Sequence, residues 1–255
     1  MLWMLLVGCA KVEEAPATVD DLLHWFWTQY ETATDDEVRT RAAELDTLTA
    51  EPLRGTYSDL TDEEQATVTM DEPIDPADAR GIFIAGDVAC TFDDLEQVRI
   101  ALDQKGLYEA ANGGEAYIAY DRAYTSDLAA YPGVPLTWDT TYTVKPVLSE
   151  YTLFVHGGAR LVPEADGVGP VFLSRVWAPA PATFRDDNSN DYFRQDYQID
   201  VNLPRGDATV HLYGTWRDLS SLGFTLEEQG TVNTLLDGYE DYDRDTEAVC
   251  ANGGF

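Results

Sequence analysis

Three histidines, three cysteines and two short runs of alternating acids are the residues whose chemistry could exceed that of packed or solvated side chains. His156 and His211 each fall in a β-patterned segment, opposite Leu153/Val155 and Val210/Leu212. Two strands could therefore bring them together beside a carboxylate, to bind a metal or pass a proton. No His-x-x-x-His or Cys/His spacing accompanies them, and no metal or other cofactor is expected. His24 lies within an aromatic helical stretch and reads as packed or surface-exposed. Asp241-x-Asp243-x-Asp245 opens as a calcium loop does, but Thr246 stands where glycine is needed and Asn252 where a bidentate glutamate is needed. Asp186, Asn188 and Asn190 fail at the same places, with Asp191 and Tyr197, and solvated acidic surface accounts better for both runs. There is no Gly-x-Ser-x-Gly, hence no serine held at a nucleophile turn.

Cys9 closes an apolar opening, Met1 to Gly8, and Lys11 to Thr18 after it is a short polar Ala/Pro/Glu stretch of the kind that tethers a folded body. Leu6-Val7-Gly8-Cys9 resembles the lipobox of bacterial lipoproteins, in which a peptidase cuts before a diacylated cysteine. No Lys or Arg precedes the run, and Leu2 to Val7 is shorter than the ~7–15 residues of a signal peptide's apolar region. Residues 1–8 are therefore read as a truncated signal peptide whose basic segment lies upstream. The resemblance implies a protein held at the cell envelope by lipid on Cys9. Ala10, not Asp, follows the cysteine, which implies the outer membrane if the host is diderm.

Cys90 and Cys250, exported together, invite a disulfide closing a loop of about 160 residues, which could stabilise by roughly 4–5 kcal/mol in the chain-entropy model. The alternative is two unrelated buried thiols. Sixteen basic against 47 acidic residues leave a charge of −31, which excludes nucleic acid as a partner. Hydrophobic residues at 44% of 255 are enough for a real core, so wholesale disorder is excluded too.

The elements that must position these groups follow from caps and periodicity. Thr18 with Asp21, Thr34 with Glu37 and Thr61 with Glu64 mark three helix starts, the first carrying Val19, Leu22, Leu23, Phe26 and Tyr30 on one face. Residues 18–72 thus read as a helical hairpin with a trailing turn, and Asp71-Glu-Pro73-Ile-Asp-Pro76 as a boundary before an α+β domain over 76–250. There, Gly81 to Cys90 reads as β-rich, and Thr91 opens a helix to about Gln104. Period-two segments such as Trp138 to Val144 and Tyr197 to Leu203 predict antiparallel strands to about residue 220. Asp186 to Asp191 and Pro204 to Asp207 are the clearest hairpin loops. A long helix from Thr225 to about Cys250 follows.

The expected fold is thus α+β, an N-terminal helical hairpin followed by a curved antiparallel sheet packed on a long C-terminal helix. In element order, residues 81–250 resemble the helix-grip fold of the START/polyketide-cyclase-like superfamily. That resemblance implies an apolar cavity between sheet and helix, lined from Trp138, Tyr142, Tyr197, Tyr213, Trp216 and Tyr239, with His156 and His211 as its possible chemistry. The alternative is that these aromatics simply fill the core. The leading functional expectation is a lipid-anchored envelope protein that binds a small apolar ligand or an envelope protein without catalysis. The alternatives are a hydrolase or cyclase-like enzyme using His156 or His211 in the sheet cavity, and a structural envelope component.

Overall fold

The computed structural model describes residues 18–112, 117–145, 150–185, 191–221 and 224–253. Cys9 and the lipobox lie outside these residues, as do most of the loop after Arg185. Three reciprocal Thr caps form as read from the sequence, opening α1 (Val19–Gln29), α2 (Asp35–Leu48) and the single turn α3 (Asp62–Gln65). Each satisfies two backbone N–H groups that the first turn leaves without partners. Strand β2 (Arg80–Val88) is followed by α4 (Phe92–Ile100), and a long α6 (Gln229–Asn252) closes the chain.

Between them lie β3 (Ala119–Tyr124), β4 (Leu136–Val144), β5 (Tyr151–Val162), β6 (Val171–Trp177), the short β7 (Thr183–Phe184), β8 (Tyr192–Arg205), β9 (Ala208–Ser221) and the short β10 (Phe224–Thr225). All pair antiparallel. β8 and β9 are joined by a two-residue turn in which Gly206 takes φ +64°, a conformation that costs glycine little.

Two elements depart from the sequence reading. Strand β1 (Leu53–Tyr57) lies inside the stretch expected to be helical and pairs with β2 from Ala85 to Gly81. Its alternation is weak because Gly55 contributes no side chain, only room for Phe83. The helix after Thr91 ends early, and a second one, α5 (Gln104–Asn112), follows at once. Asp103 Oδ1 accepts a hydrogen bond from the Gly106 N–H at 2.8 Å, a start signal hidden behind the exposed Leu102.

The sheet order is β1-β2-β9-β8-β6-β5-β4-β3. The sheet is covered on both faces. On one, α1 and α2 set Leu22, Leu23, Phe26, Trp27, Val38 and Leu45 against Tyr197, Ile199, Val201, Leu203, Leu212 and Trp216, forming the largest apolar cluster. On the other, α6 places Val232, Leu236 and Tyr239 over Ile82 and Ile84, while Tyr108 of α5 packs against Val98 and Val249. Burying each large apolar side chain is worth ~1.5–3 kcal/mol, so α1 and α2 are part of the sheet's core rather than an appendage. Cys90, just after β2, is disulfide-bonded to Cys250 in the last turns of α6, with Cα atoms 5.6 Å apart. Among the described residues, no helix is long and apolar enough to cross a membrane.

Candidate functional site

Period two gives each central strand two different faces. β8 turns Tyr197, Ile199, Val201 and Leu203 toward α1 and α2, so Gln198, Asp200 and Asn202 face α6. β9 does the same, turning Leu212 and Trp216 to the N-terminal helices and His211, Tyr213, Thr215 and Arg217 to the other side. The polar sets therefore meet beneath α6, where the sheet leaves a chamber of about 300 Å³. Its walls are unusually rich in tyrosine, with Tyr117, Tyr120, Tyr142, Tyr151, Tyr213 and Tyr239 among them, and carry three arginines, Arg99, Arg122 and Arg217. Its lining combines a predominantly apolar, aromatic surface with a few fixed polar groups.

The charges in and under the chamber are mostly paired. Arg99, 6% exposed, makes an ion pair through Nε with Asp200 Oδ2 at 3.0 Å, and its Nη1 donates to the Tyr242 hydroxyl at 3.0 Å. Arg217 Nε donates to Asp196 Oδ1 at 2.8 Å and Nη1 to the Tyr239 hydroxyl at 2.9 Å. His211, 1% exposed, lies between two carboxylates, Nε2 at 3.3 Å from Asp200 and Nδ1 at 3.0 Å from Asp243. Burial works against its positive charge, but Asp243 and Asp200 outweigh it and push the imidazole up to about 9. Burial likewise works against the charge of Asp200, and His211 and Arg99 overcome it, holding that carboxyl below its ordinary value. Burial raises the Tyr142, Tyr213 and Tyr239 phenols, so the aromatic wall stays neutral.

Of the residues singled out in the sequence, Trp138, Tyr142, Tyr213 and Tyr239 line the chamber, and His211 sits beneath it, against Asp200 of the lining. Tyr197 and Trp216 do not line it. Both are fully buried under α1, with ring centroids 5.7 and 5.6 Å from that of Trp27. The apolar alternation that singled them out marks the face packed on helices, and the chamber takes the opposite, polar face. His156 also points away, to the outer side of β5, where Nδ1 lies 2.7 Å from Asp139 Oδ1 beside Trp177. No strand pairing brings His156 and His211 together, since β6 and β8 lie between theirs. Asp241, Asp243 and Asp245 lie within α6, not in a loop, and Asp243 turns to His211 while Asp241 pairs with Arg244. Among the described residues, no cluster of three could hold a metal ion.

Arg99, Arg122, Arg217, Asp196 and Asp200 escaped the sequence reading. For Asp196, Asp200 and Arg217 the signal was present as polar residues alternating with the apolar ones on β8 and β9, but polar positions in a strand ordinarily face solvent.

A second constellation lies at the far side of the sheet. His24 Nδ1 is 2.7 Å from Glu64 Oε1, and its Nε2 is 2.9 Å from the Ser58 hydroxyl. This has the spacing of a serine–histidine–acid triad. The Ser58 hydroxyl, however, donates to Asp20 Oδ1 at 2.7 Å, and Asp20 also lies 3.3 Å from His24 Nε2. Burial lowers the imidazole pKa, but Glu64 and Asp20 together more than reverse this and leave it raised. A hydroxyl already donating to Asp20 does not present its proton to the imidazole. The cluster instead ties α1 to β1 and α3, next to the hydrogen bonds from Trp27 Nε1 to the Glu64 carbonyl and from Trp216 Nε1 to the Ser58 carbonyl.

No family model and no curated protein matches this sequence. Solved structures similar to it include human STARD10, at 10% identity over 87% of this chain and 81% of that one, with a TM-score of 0.47. A STAR-related lipid transfer protein from Xanthomonas axonopodis is 13% identical over 68% of this chain and 90% of that one, with a TM-score of 0.41. The human StarD13 lipid transfer and protein localization domain is 8% identical over 86% and 98%, with a TM-score of 0.40.

Proposed function

We propose that this protein binds one small molecule in the chamber beneath α6 without transforming it, and does so at the cell envelope, tethered by acyl chains on Cys9. The observation that carries the binding role is the chamber itself. Its volume of about 300 Å³ is at the lower end of ligand sites, and its walls combine flat aromatic rings with a few fixed polar groups. A non-catalytic role is supported by the pairing of its charges. Asp200 and Asp243 neutralise Arg99 and His211, and no lining hydroxyl is hydrogen-bonded to a histidine among the described residues. The tether is supported by the Leu6-Val7-Gly8-Cys9 motif and the polar stretch after it.

Binding is tested by titrating the purified protein with an environment-sensitive naphthalene fluorophore. One site per chain is expected. Ser174→Trp, which projects a large ring from the chamber floor, is expected to abolish it while leaving the fold intact by circular dichroism. A fluorophore that binds both proteins equally removes the chamber from consideration. For the tether, protein expressed behind a complete export signal is expected in the membrane fraction, and Cys9→Ser protein in the soluble one. If the Cys9→Ser protein still pellets with membranes, acylation at Cys9 is not the anchor.

A further inference from the structure

We infer that the ligand of this chamber is an organic carboxylate with an apolar body, and that Arg122 of β3 receives its charge. The inference rests on the binding role above and names the class of molecule. It begins from a charge imbalance at odds with the whole protein. The chain carries −31, yet in and under the chamber Arg99, Arg122, Arg217 and His211 face only Asp196, Asp200 and Asp243 among the described residues. The unmatched cation is Arg122. Arg99 and Arg217 each hold a carboxylate, at 3.0 and 2.8 Å, and His211 holds two.

Among the described residues, Arg122 bonds only to uncharged oxygens. Its Nε donates to Thr140 Oγ1 at 3.1 Å, and Nη1 donates to the Arg99 and Ala101 carbonyls at 2.8 and 3.2 Å. These three contacts fix the plane of the guanidinium and leave Nη2 without a protein partner among the described residues. The group also lies over the Trp138 ring, 4.7 Å from its centroid, and over Tyr120 at 5.5 Å. Both aromatics line the chamber.

A guanidinium held in place over two aromatic rings, with Nη2 free among the described residues, is pre-organised for a planar anion. A cation without a counter-charge is costly to enclose, and a carboxylate would supply that charge to Arg122. A cationic ligand would add to the excess charge. The tyrosine wall then takes the apolar body, with phenols that stay neutral and do not repel the anion.

The test compares 2-naphthoate with its uncharged isostere 2-naphthylmethanol, by titration calorimetry against the full chain. Wild-type protein is expected to bind the acid at least tenfold more tightly than the alcohol. Arg122→Gln is expected to lose that preference while keeping its affinity for the alcohol, and Arg122→Lys, which retains charge but not the fork, to keep part of it. Each ratio is taken within one variant, so a general loss of stability from loosening the α4 carbonyls cancels, and the wild-type ratio needs no variant. Equal affinity of wild type for acid and alcohol, or an Arg122→Gln protein that still prefers the acid, overturns the carboxylate assignment and leaves the binding role standing. If neither probe nor the naphthalene fluorophore binds wild type, the binding role falls and the assignment with it.

Discussion

Nδ1 of His211 on β9 lies 3.0 Å from the Asp243 carboxylate on α6, so the last helix is fastened to the sheet by an ion pair as well as by its apolar face. Asp200 on β8 faces the opposite nitrogen at 3.3 Å, and Arg99 of α4 completes the cluster through Asp200. One buried ring thus joins two strands directly to α6 and, through Asp200, to α4.

This joint makes stability depend on alkaline pH. Burial opposes the imidazolium, Asp243 and Asp200 overcome that, and the folded pKa of about 9 exceeds the ordinary 6.5. A raised pKa contributes stability that is complete below about 6.5 and is lost as pH rises through about 9. The expected loss is on the order of 3 kcal/mol, from one pKa unit being about 1.4 kcal/mol. Urea denaturation at intervals across that window checks it, with His211→Gln expected to flatten the profile. A wild-type profile already flat there refutes the assignment.

The Cys90–Cys250 bond closes a loop spanning 160 positions and pins the end of α6 to the end of β2. In the chain-entropy model it contributes about 5 kcal/mol. At roughly 2–4 °C per kcal/mol for a chain of this size, reduction is expected to lower the melting temperature by roughly 10–20 °C. Melting with and without reductant measures this. Two free thiols on denatured, unreduced protein would rule the bond out.

Gly157 of β5 lies under the Trp138 indole, where an added Cβ would sit 2.2 Å from Nε1. Gly157→Ala must therefore push the indole aside, and Trp138 is both a chamber wall and the surface under Arg122. A destabilisation of about 1–3 kcal/mol is expected from overpacking, with weaker binding of a chamber ligand. Denaturation and tryptophan fluorescence read the two effects. An unchanged emission spectrum would contradict the contact.

Removing α1 and α2 uncovers the face of β8 and β9 that carries Tyr197, Ile199, Val201 and Trp216, all fully buried. A protein beginning at Glu51 is expected to aggregate or to bind a hydrophobic dye strongly, since so large an apolar face is not left in water. A soluble, cooperatively melting truncation would show instead that the helical pair is separable.

Ser58 is not expected to react with a fluorophosphonate probe. Its hydroxyl donates its proton to Asp20 Oδ1 and so does not offer it to His24, whose activation of the oxygen a nucleophile would need. Active-site labelling followed by peptide mapping tests this, and a label on Ser58 would make the triad geometry functional.

The legible parts of the molecule are those whose signals are local. Thr18, Thr34 and Thr61 declare helix starts because each cap and its acid partner lie three residues apart. Turn chemistry at Gly206 and the apolar stripe Val232, Leu236, Tyr239 of α6 are local in the same way. β1 escaped because a glycine sits at its centre, and α5 because one exposed loop residue hides the cap at Asp103. Arg122 could not be singled out, since its meaning depends on having no carboxylate beside it among the described residues, which is a property of neighbours distant in sequence.

The helix caps, the alternating central strands, the long last helix and the strongly acidic charge were determined by the sequence alone, because each depends on residues close together in the chain or on composition. Period two in β8 and β9 announced two faces without saying what would cover either. Only the tertiary structure decided that α1 and α2 take the apolar face holding Tyr197 and Trp216, leaving Asp200, His211 and Arg217 to meet beneath α6. The physical reason is that burial is a contest between faces, and the helices with the larger apolar stripe win the apolar side. The polar side is then enclosed at the expense of pairing its charges, among the described residues all but that of Arg122.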